Sequence, residues 1–195
     1  MDPLPGARLT VITPGATAPY SGMLPGFVAG HYPHEALDID LVQLARFAGA
    51  RVILGAAEGI DPVRREIHVA GRPPIAYDVA SINVGITSAM PNLPGLAEHA
   101  TPAKPLGPFA TAWSEYLSGD GPASVAVVGA GVAGAELAMA MAHALEQRKR
   151  PAQITLLDAN AALPGLGAPA VSRIRQALER LGVKLLEHRV VTAIT

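Results

Sequence analysis

The chain has no cysteine. That one absence excludes structural disulfides, a thiolate zinc site, a cysteine nucleophile and a redox-active disulfide. Charge is also scarce: 16% of the 195 residues are charged and the formal net charge is −1. Neither nucleic acid nor an anionic membrane is therefore expected as a partner on electrostatic grounds. Aromatic residues, at 4%, are too few to suggest a base-stacking surface. The start, Met1-Asp-Pro-Leu-Pro-Gly6, offers no basic n-region and no continuous apolar h-region, so no signal peptide is expected. The default location is the cytoplasm, with peripheral association at a membrane left open. What the chain does have is apolar material, 50% of its residues. That is ample for one large core or two small ones.

The densest information lies in Val125-Ala-Val-Val-Gly-Ala-Gly-Val-Ala-Gly-Ala-Glu-Leu-Ala138. A β-branched run ends at Gly129, and Gly131 and Gly134 complete a G-x-G-x-x-G turn before an alanine-rich helical pattern. Gly129 permits the tight strand-to-helix turn. Gly131 lets a pyrophosphate approach the backbone, and Gly134 lets the helix pack closely on the sheet. Free N–H groups and the positive dipole end at the helix start then face the phosphates. The same run, continued to Ala142, is apolar enough to suggest a membrane span. Strand, turn and helix account for its three glycines and Glu136, so no span is expected. Asp158 closes the next strand, where a carboxylate can accept hydrogen bonds from an adenosine ribose. A 2′-phosphate would be repelled there, which favours NAD(H) over NADP(H).

An imperfect duplication organises the rest. Arg8–Thr13, Leu41–Gly49 and Ala50–Leu54 read as strand, helix and strand; so do Gln153–Asp158, Ile174–Gly182 and Val183–Leu186. Both helices end at a glycine in the position a left-handed cap requires. Each copy runs on into an extended stretch, Glu58–Asp61 and Val190–Ile194. Copy one then continues into a hairpin, Glu66–Ala70 with Pro74–Tyr77 around Gly71-Arg72, and a buried-looking strand, Val79–Val84, ending at Gly85. Only copy two is preceded by a strand and glycine turn. A proline-rich link, Pro91 to Pro108, and a short helix of about Phe109 to Leu117 join the halves, with a boundary near Gly119. The expected fold class is α/β, with two Rossmann-like dinucleotide domains: 1–118 lacking its first strand and glycine loop, and 119–195, both apparently incomplete. Unpaired sheet edges would then favour a homo-oligomer.

These residues resemble the FAD-dependent pyridine nucleotide-disulfide oxidoreductase superfamily, whose fold nests an NAD(P) domain inside an FAD domain. Tyr77-Asp78, the stretch to Gly85, and Pro94-Gly95 are similar to the family's YD-x-x-x-x-ATG … P-G pattern. Gly129–Glu136 looks like its second, NAD-binding G-x-G-x-x-G-x-E. Within the superfamily the NADH dehydrogenase-like branch matches best. The run Pro19-Tyr-Ser-Gly-Met-Leu-Pro-Gly-Phe-Val-Ala-Gly30 resembles the flavoprotein found alone or fused ahead of selenide, water dikinase. The family's first glycine loop is absent, Thr13 or its neighbours replace its acidic strand end, and its cysteine pair is missing.

The resemblance implies FAD and NAD as cofactors and hydride transfer from NADH to flavin, then to an acceptor such as a quinone. It places Glu136 near the nicotinamide, with a first-turn helix-capping role as the alternative. It places Tyr20, Ser21 and Gly22 near the flavin, with Gly85 and Lys104 as further flavin-side candidates. No catalytic residue is expected, because the cofactors carry this chemistry and the protein orients them. His31 and His34 are separated by Pro33 and lack a third ligand, so no metal site is expected. Ser21 and Ser114 lack a triad pattern, and Arg148-Lys-Arg150 reads as a solvated helix end. Two further readings stay open: an NAD-binding module without flavin, and a truncated domain that binds neither nucleotide.

Overall fold

The computed structural model describes residues 6–85 and 92–195. In chain order the elements are β1 (Thr10–Thr13), β2 (Thr17–Pro19), α1 (Leu24–Val28), β3 (Asp38–Asp40), α2 (Leu41–Phe47), β4 (Arg51–Leu54), β5 (Ala57–Asp61), β6 (Glu66–Val69) and β7 (Ile75–Ala76). Then follow α3 (Leu96–His99), α4 (Leu106–Ser118), β8 (Ala123–Val128), α5 (Val132–Gln147), β9 (Ala152–Leu157), α6 (Ala168–Arg180) and β10 (Lys184–Leu186). Single 3-10 turns, Ser21–Met23 and His34–Leu37, flank α1. The chain divides into two compact units, Met1–Tyr20 with Asp38–Ile86, and Ser21–Leu37 with Thr87–Thr195.

The first unit is built from small sheets. β1 and β4 pair in parallel, Thr10 opposite Arg51 through Thr13 opposite Leu54. β2 pairs antiparallel with β3, and β5, β6 and β7 form an antiparallel meander. The β6–β7 hairpin matches the one the sequence predicts. Helix α2 begins because the Asp40 carboxylate caps it, accepting from the N–H groups of Val42 and Gln43 at 2.9 Å each. It ends in a Schellman cap: Gly49, at φ +64, donates to Arg46, and Ala50 to Ala45. Burial here is thin, with Ala45, Ile53 and Val69 the buried apolar residues of the described part. Phe47 is 89% exposed.

The second unit holds the larger core. β10, β9 and β8 form a parallel sheet in that order, and α5 packs against β8, β9, α6 and α1. Leu145 and Leu156 are fully buried at its centre. Five buried alanines of α5 (Ala135, Ala138, Ala140, Ala142 and Ala144), with buried Ala130 just ahead of the helix, keep it close to its neighbours. Trp113 of α4 donates its indole N–H to the Val28 carbonyl at the end of α1 at 3.1 Å, satisfying both groups in a buried setting. The sequence duplication is real in structure: β9–α6–β10 repeats the parallel strand–helix–strand order of β1–α2–β4. α6 ends as α2 does, with Gly182 at φ +68 donating to Glu179, and Val183 to Leu178.

Three expectations need correction. Val79–Val84 is not a strand; Val79, Ile82 and Val84 are 90%, 66% and 86% exposed. β-Branched residues favour extension, but a strand also needs a neighbouring backbone to pair with, and among the described residues none does so here. The stretch Val190–Ile194, expected to be extended, pairs with no strand among the described residues, and its Ile194 N–H donates to the Pro94 carbonyl. The proline-rich link is not wholly irregular, since it contains α3 and the start of α4; its first residue, Pro91, lies outside the described residues. Finally, Arg150 is no solvated helix end. It donates to Gly121 at 2.7 Å and to Tyr116 at 2.6 Å, and stacks 5.0 Å from the Tyr116 ring centre. It fastens the end of α5 to the chain entering β8.

Candidate functional site

The site is built at the carboxyl ends of β8, β9 and β10. The apolar run Ala123–Val128 forms β8, and Gly129 turns the chain at φ +103, a conformation that side chains other than glycine's rarely adopt. Gly129 still donates to Leu157, extending the ladder by one bond. Gly131 is the N-cap of α5, with no side-chain cap, so the first N–H groups of Val132, Ala133 and Gly134 have no intrahelical partner. A methyl added at Gly131 would meet nothing within 4 Å. At Gly134 it would overlap the Gly129 carbonyl oxygen and lie 3.6 Å from Leu156 Cδ1. The two glycines thus serve opposite ends: Gly131 keeps space open in front of the donors, and Gly134 lets helix and strand touch.

The turn is braced from behind. Asp158 follows β9, and its Oδ2 accepts from the Ala130 N–H at 2.7 Å while Oδ1 accepts from Asn160 at 2.8 Å. Leu163, nearly fully buried at φ +59, donates to the Ala130 carbonyl at 2.7 Å. The loop between β9 and α6 is held in turn by the chain after β10. Glu187 accepts from Ala162 N–H and from an Arg175 guanidinium nitrogen, both at 2.6 Å. The Arg175 bond, then the Ala162 bond, hold the Glu187 carboxyl below its usual range. His188 donates its backbone N–H to Asn160, and Arg189 to Asp158.

The sequence-predicted residues fall out as follows. Gly129, Gly131, Gly134 and Asp158 come together at this sheet end. Asp158 is already engaged by two backbone donors, a brace the sequence does not reveal. Glu136 is the fifth residue of α5 and exposed, so the expected first-turn position and its capping alternative are corrected; the helix starts at Val132, two residues before Gly134. Of the flavin-side candidates, Tyr20 and Gly85 lie in the first unit, and Ser21, Gly22 and Lys104 in the second. Ser21 and Gly22 form a 3-10 turn rather than an open loop. The Arg175–Glu187 pair, which holds the loop behind the turn, is the supporting contact that the sequence reading missed. Only its sheet-end address after β10 could have raised it.

Open space before an uncapped helix start, hard against a glycine-mediated helix–strand contact, is what an extended pyrophosphate requires. A family model described as pyridine nucleotide-disulphide oxidoreductase matches residues 4–195. The chain belongs to that family. Among curated proteins it is similar to the NADH dehydrogenase-like protein YutJ of Bacillus subtilis, 26% identical over 141 residues. That match covers 72% of this chain and 39% of YutJ. Among solved structures it is similar to NDH2 of Plasmodium falciparum in complex with NADH: TM-score 0.75, 14% identity, 96% of this chain and 44% of that one. It is also similar to the water-forming NADH oxidase of Lactobacillus brevis bound to NADH: TM-score 0.72, 22% identity, 98% of this chain and 43% of that one. An engineered form of that oxidase, bound to NADPH, matches with TM-score 0.70 at 20% identity over 98% of this chain and 43% of its own, and replaces an adjacent Asp-Ala pair by Ala-Arg. The chain therefore spans under half the length of these relatives. Like those oxidoreductases, this family member has the FAD/NAD(P)-binding, Rossmann-like α/β fold.

Proposed function

We propose that residues 119–195 bind NADH through the glycine turn. In the whole protein they would deliver it to an FAD-dependent transfer of electrons to an acceptor such as a quinone. The observation that carries the reading is the open space at Gly131 before the uncapped start of α5. The N–H groups of Val132 to Gly134 hold the pyrophosphate, and Gly129 and Gly134 fix the turn that aims them. Asp158 receives the adenosine ribose, exchanging or sharing its bond to Asn160 while Ala130 keeps the carboxylate oriented. The Asp158-Ala159 dipeptide supports NADH over NADPH, since the engineered NADPH oxidase carries, among its five substitutions, Ala-Arg in place of an Asp-Ala pair. Glu136 lies further along α5, on the nicotinamide side by family resemblance.

FAD, when bound, supplies the two-electron acceptor for the NADH hydride. Its candidates in this chain are Tyr20, Ser21, Gly22, Gly85 and Lys104, and we keep residues 1–118 as the flavin-side domain. Among the described residues, Gly129–Gly134 is the glycine turn that opens a helix after a parallel strand. In a second reading, this chain binds NADH through the glycine turn without flavin. Titrating the purified chain with NADH by nicotinamide fluorescence, alongside its flavin absorbance, tests both. Saturable NADH binding with flavin absorbance supports the first reading, and binding without flavin supports the second. Absence of both refutes the nucleotide-binding proposal for this chain.

A further inference from the structure

A second cluster lies outside the glycine turn, in the first unit. Arg8, Arg51 and Arg72 line one cleft of about 350 Å³. The parallel register explains why two of them meet. Thr10 lies opposite Arg51, and Arg8 is two residues upstream of Thr10 in extended chain, so Arg8 and Arg51 share a face. Arg72 arrives from the tip of the β6–β7 hairpin, where Pro73 and Pro74 stiffen the chain. The floor and wall are apolar, with Ile53 buried and Ile75 half-buried. Among the described residues no carboxylate lines the cleft, and no ion pair or side-chain hydrogen bond engages the three guanidiniums. Three arginines lining one space, with no carboxylate among its lining, favour an anion there.

We infer that this cleft is a binding site for a small organic phosphate. Guanidinium forks match phosphate oxygens in geometry and charge. Three of them suit a phosphomonoester, which carries close to two negative charges at neutral pH, better than a carboxylate with one. The apolar wall of Ile53, Pro73 and Ile75 takes the organic part, and the volume lies at the small end of ligand sites. Arg8 and Arg51 stand at the amino ends of β1 and β4. A nucleotide on a parallel α/β sheet binds outside the carboxyl ends, so this is a different site from a dinucleotide crevice.

The test is calorimetric titration of the intact chain with phenyl phosphate and, separately, inorganic phosphate. Phenyl phosphate is expected to saturate at about millimolar concentration, the range set by a ligand of its size. Inorganic phosphate should bind several-fold more weakly. The variant Arg51→Gln/Arg72→Gln should lose about tenfold in affinity for phenyl phosphate. Arg64→Gln/Arg65→Gln, which removes the same charge from the β5–β6 turn, should bind as the parent does. Added NADH should leave the titration unchanged. All these substitutions are at exposed positions, and melting curves check that the variants remain folded. No saturation by about 10 mM, equal loss in both double variants, equal affinity for the two ligands, or displacement by NADH would each overturn the proposal.

Discussion

Adding one methyl group at Gly131 and one at Gly134 should have opposite consequences, although the residues are three apart and belong to one motif. Inside a helix, glycine to alanine ordinarily stabilises by about 1 kcal/mol. At Gly134 the new Cβ would overlap the Gly129 carbonyl oxygen and come within 3.0 Å of its carbon, with Leu156 Cδ1 at 3.6 Å. The obstruction is backbone on the sheet side, so relief requires moving α5 away from β8. Overpacking of this kind costs up to about 3 kcal/mol. The net expectation for Gly134→Ala is a loss of about 2 kcal/mol, the overpacking cost less the helix gain. Gly131, at φ −69 and ψ −178 with nothing within 4 Å, accepts alanine without strain. Gly131→Ala should leave stability unchanged or raise it by roughly 0.5 kcal/mol through the unfolded chain. Its methyl would stand in the space proposed for the pyrophosphate, so NADH affinity should fall by about tenfold or more, a loss of some 1.4 kcal/mol. Urea unfolding followed by circular dichroism, paired with NADH fluorescence titration, separates the two effects. The reasoning fails if Gly134→Ala is as stable as the parent, or if Gly131→Ala unfolds early or binds NADH normally.

Other perturbations probe the surrounding brace. The folded pKa of Glu187 is lowered, so its stabilising contribution is full above the ordinary carboxylate range and is lost as pH falls through the lowered value. Glu187→Gln should therefore melt lower than the parent near neutral pH, and the difference should shrink on acidification; parallel melting curves would contradict this. Replacing Asp158-Ala159 by Ala-Arg should weaken NADH and strengthen NADPH in fluorescence titrations, and an unchanged preference would remove Asp158 from the ribose site. Trp113→Phe leaves the buried Val28 carbonyl without its 3.1 Å donor and should cost about 1–3 kcal/mol in urea unfolding. A neutral result would mean that water replaces the indole.

The parts of the fold written in local chemistry were legible. Apolar runs, glycine caps at Gly49 and Gly182, and the spacing of Gly129, Gly131 and Gly134 each act over a few residues, and each is where the sequence puts it. Features that depend on distant partners were not. Val79–Val84 has the composition of a strand but lacks a paired neighbour. The short helix α1 sits in a glycine- and proline-rich run whose local pattern argues against helix, and Trp113, 85 positions from its acceptor, helps hold its end. Arg150 looks like one of three solvated cations until Tyr116 and Gly121 arrive beside it. In the site, the glycine turn was legible and its brace was not. Asp158, Leu163, Glu187 and Arg175 meet only because β9, α6 and β10 return to one sheet end.

Asp158 also bears on how this site could change over generations. One carboxylate faces the proposed ribose and, through Ala130, steadies the turn that receives the phosphates. In that reading, ligand choice and part of the loop's rigidity rest on one residue. A lineage drifting toward NADPH by exchanging that residue would loosen its phosphate turn in the same step. Compensation would have to come first, from positions such as Leu163 or Glu187 that hold the loop independently. Their tolerance, more than the binding pocket itself, would set which substitutions are accessible.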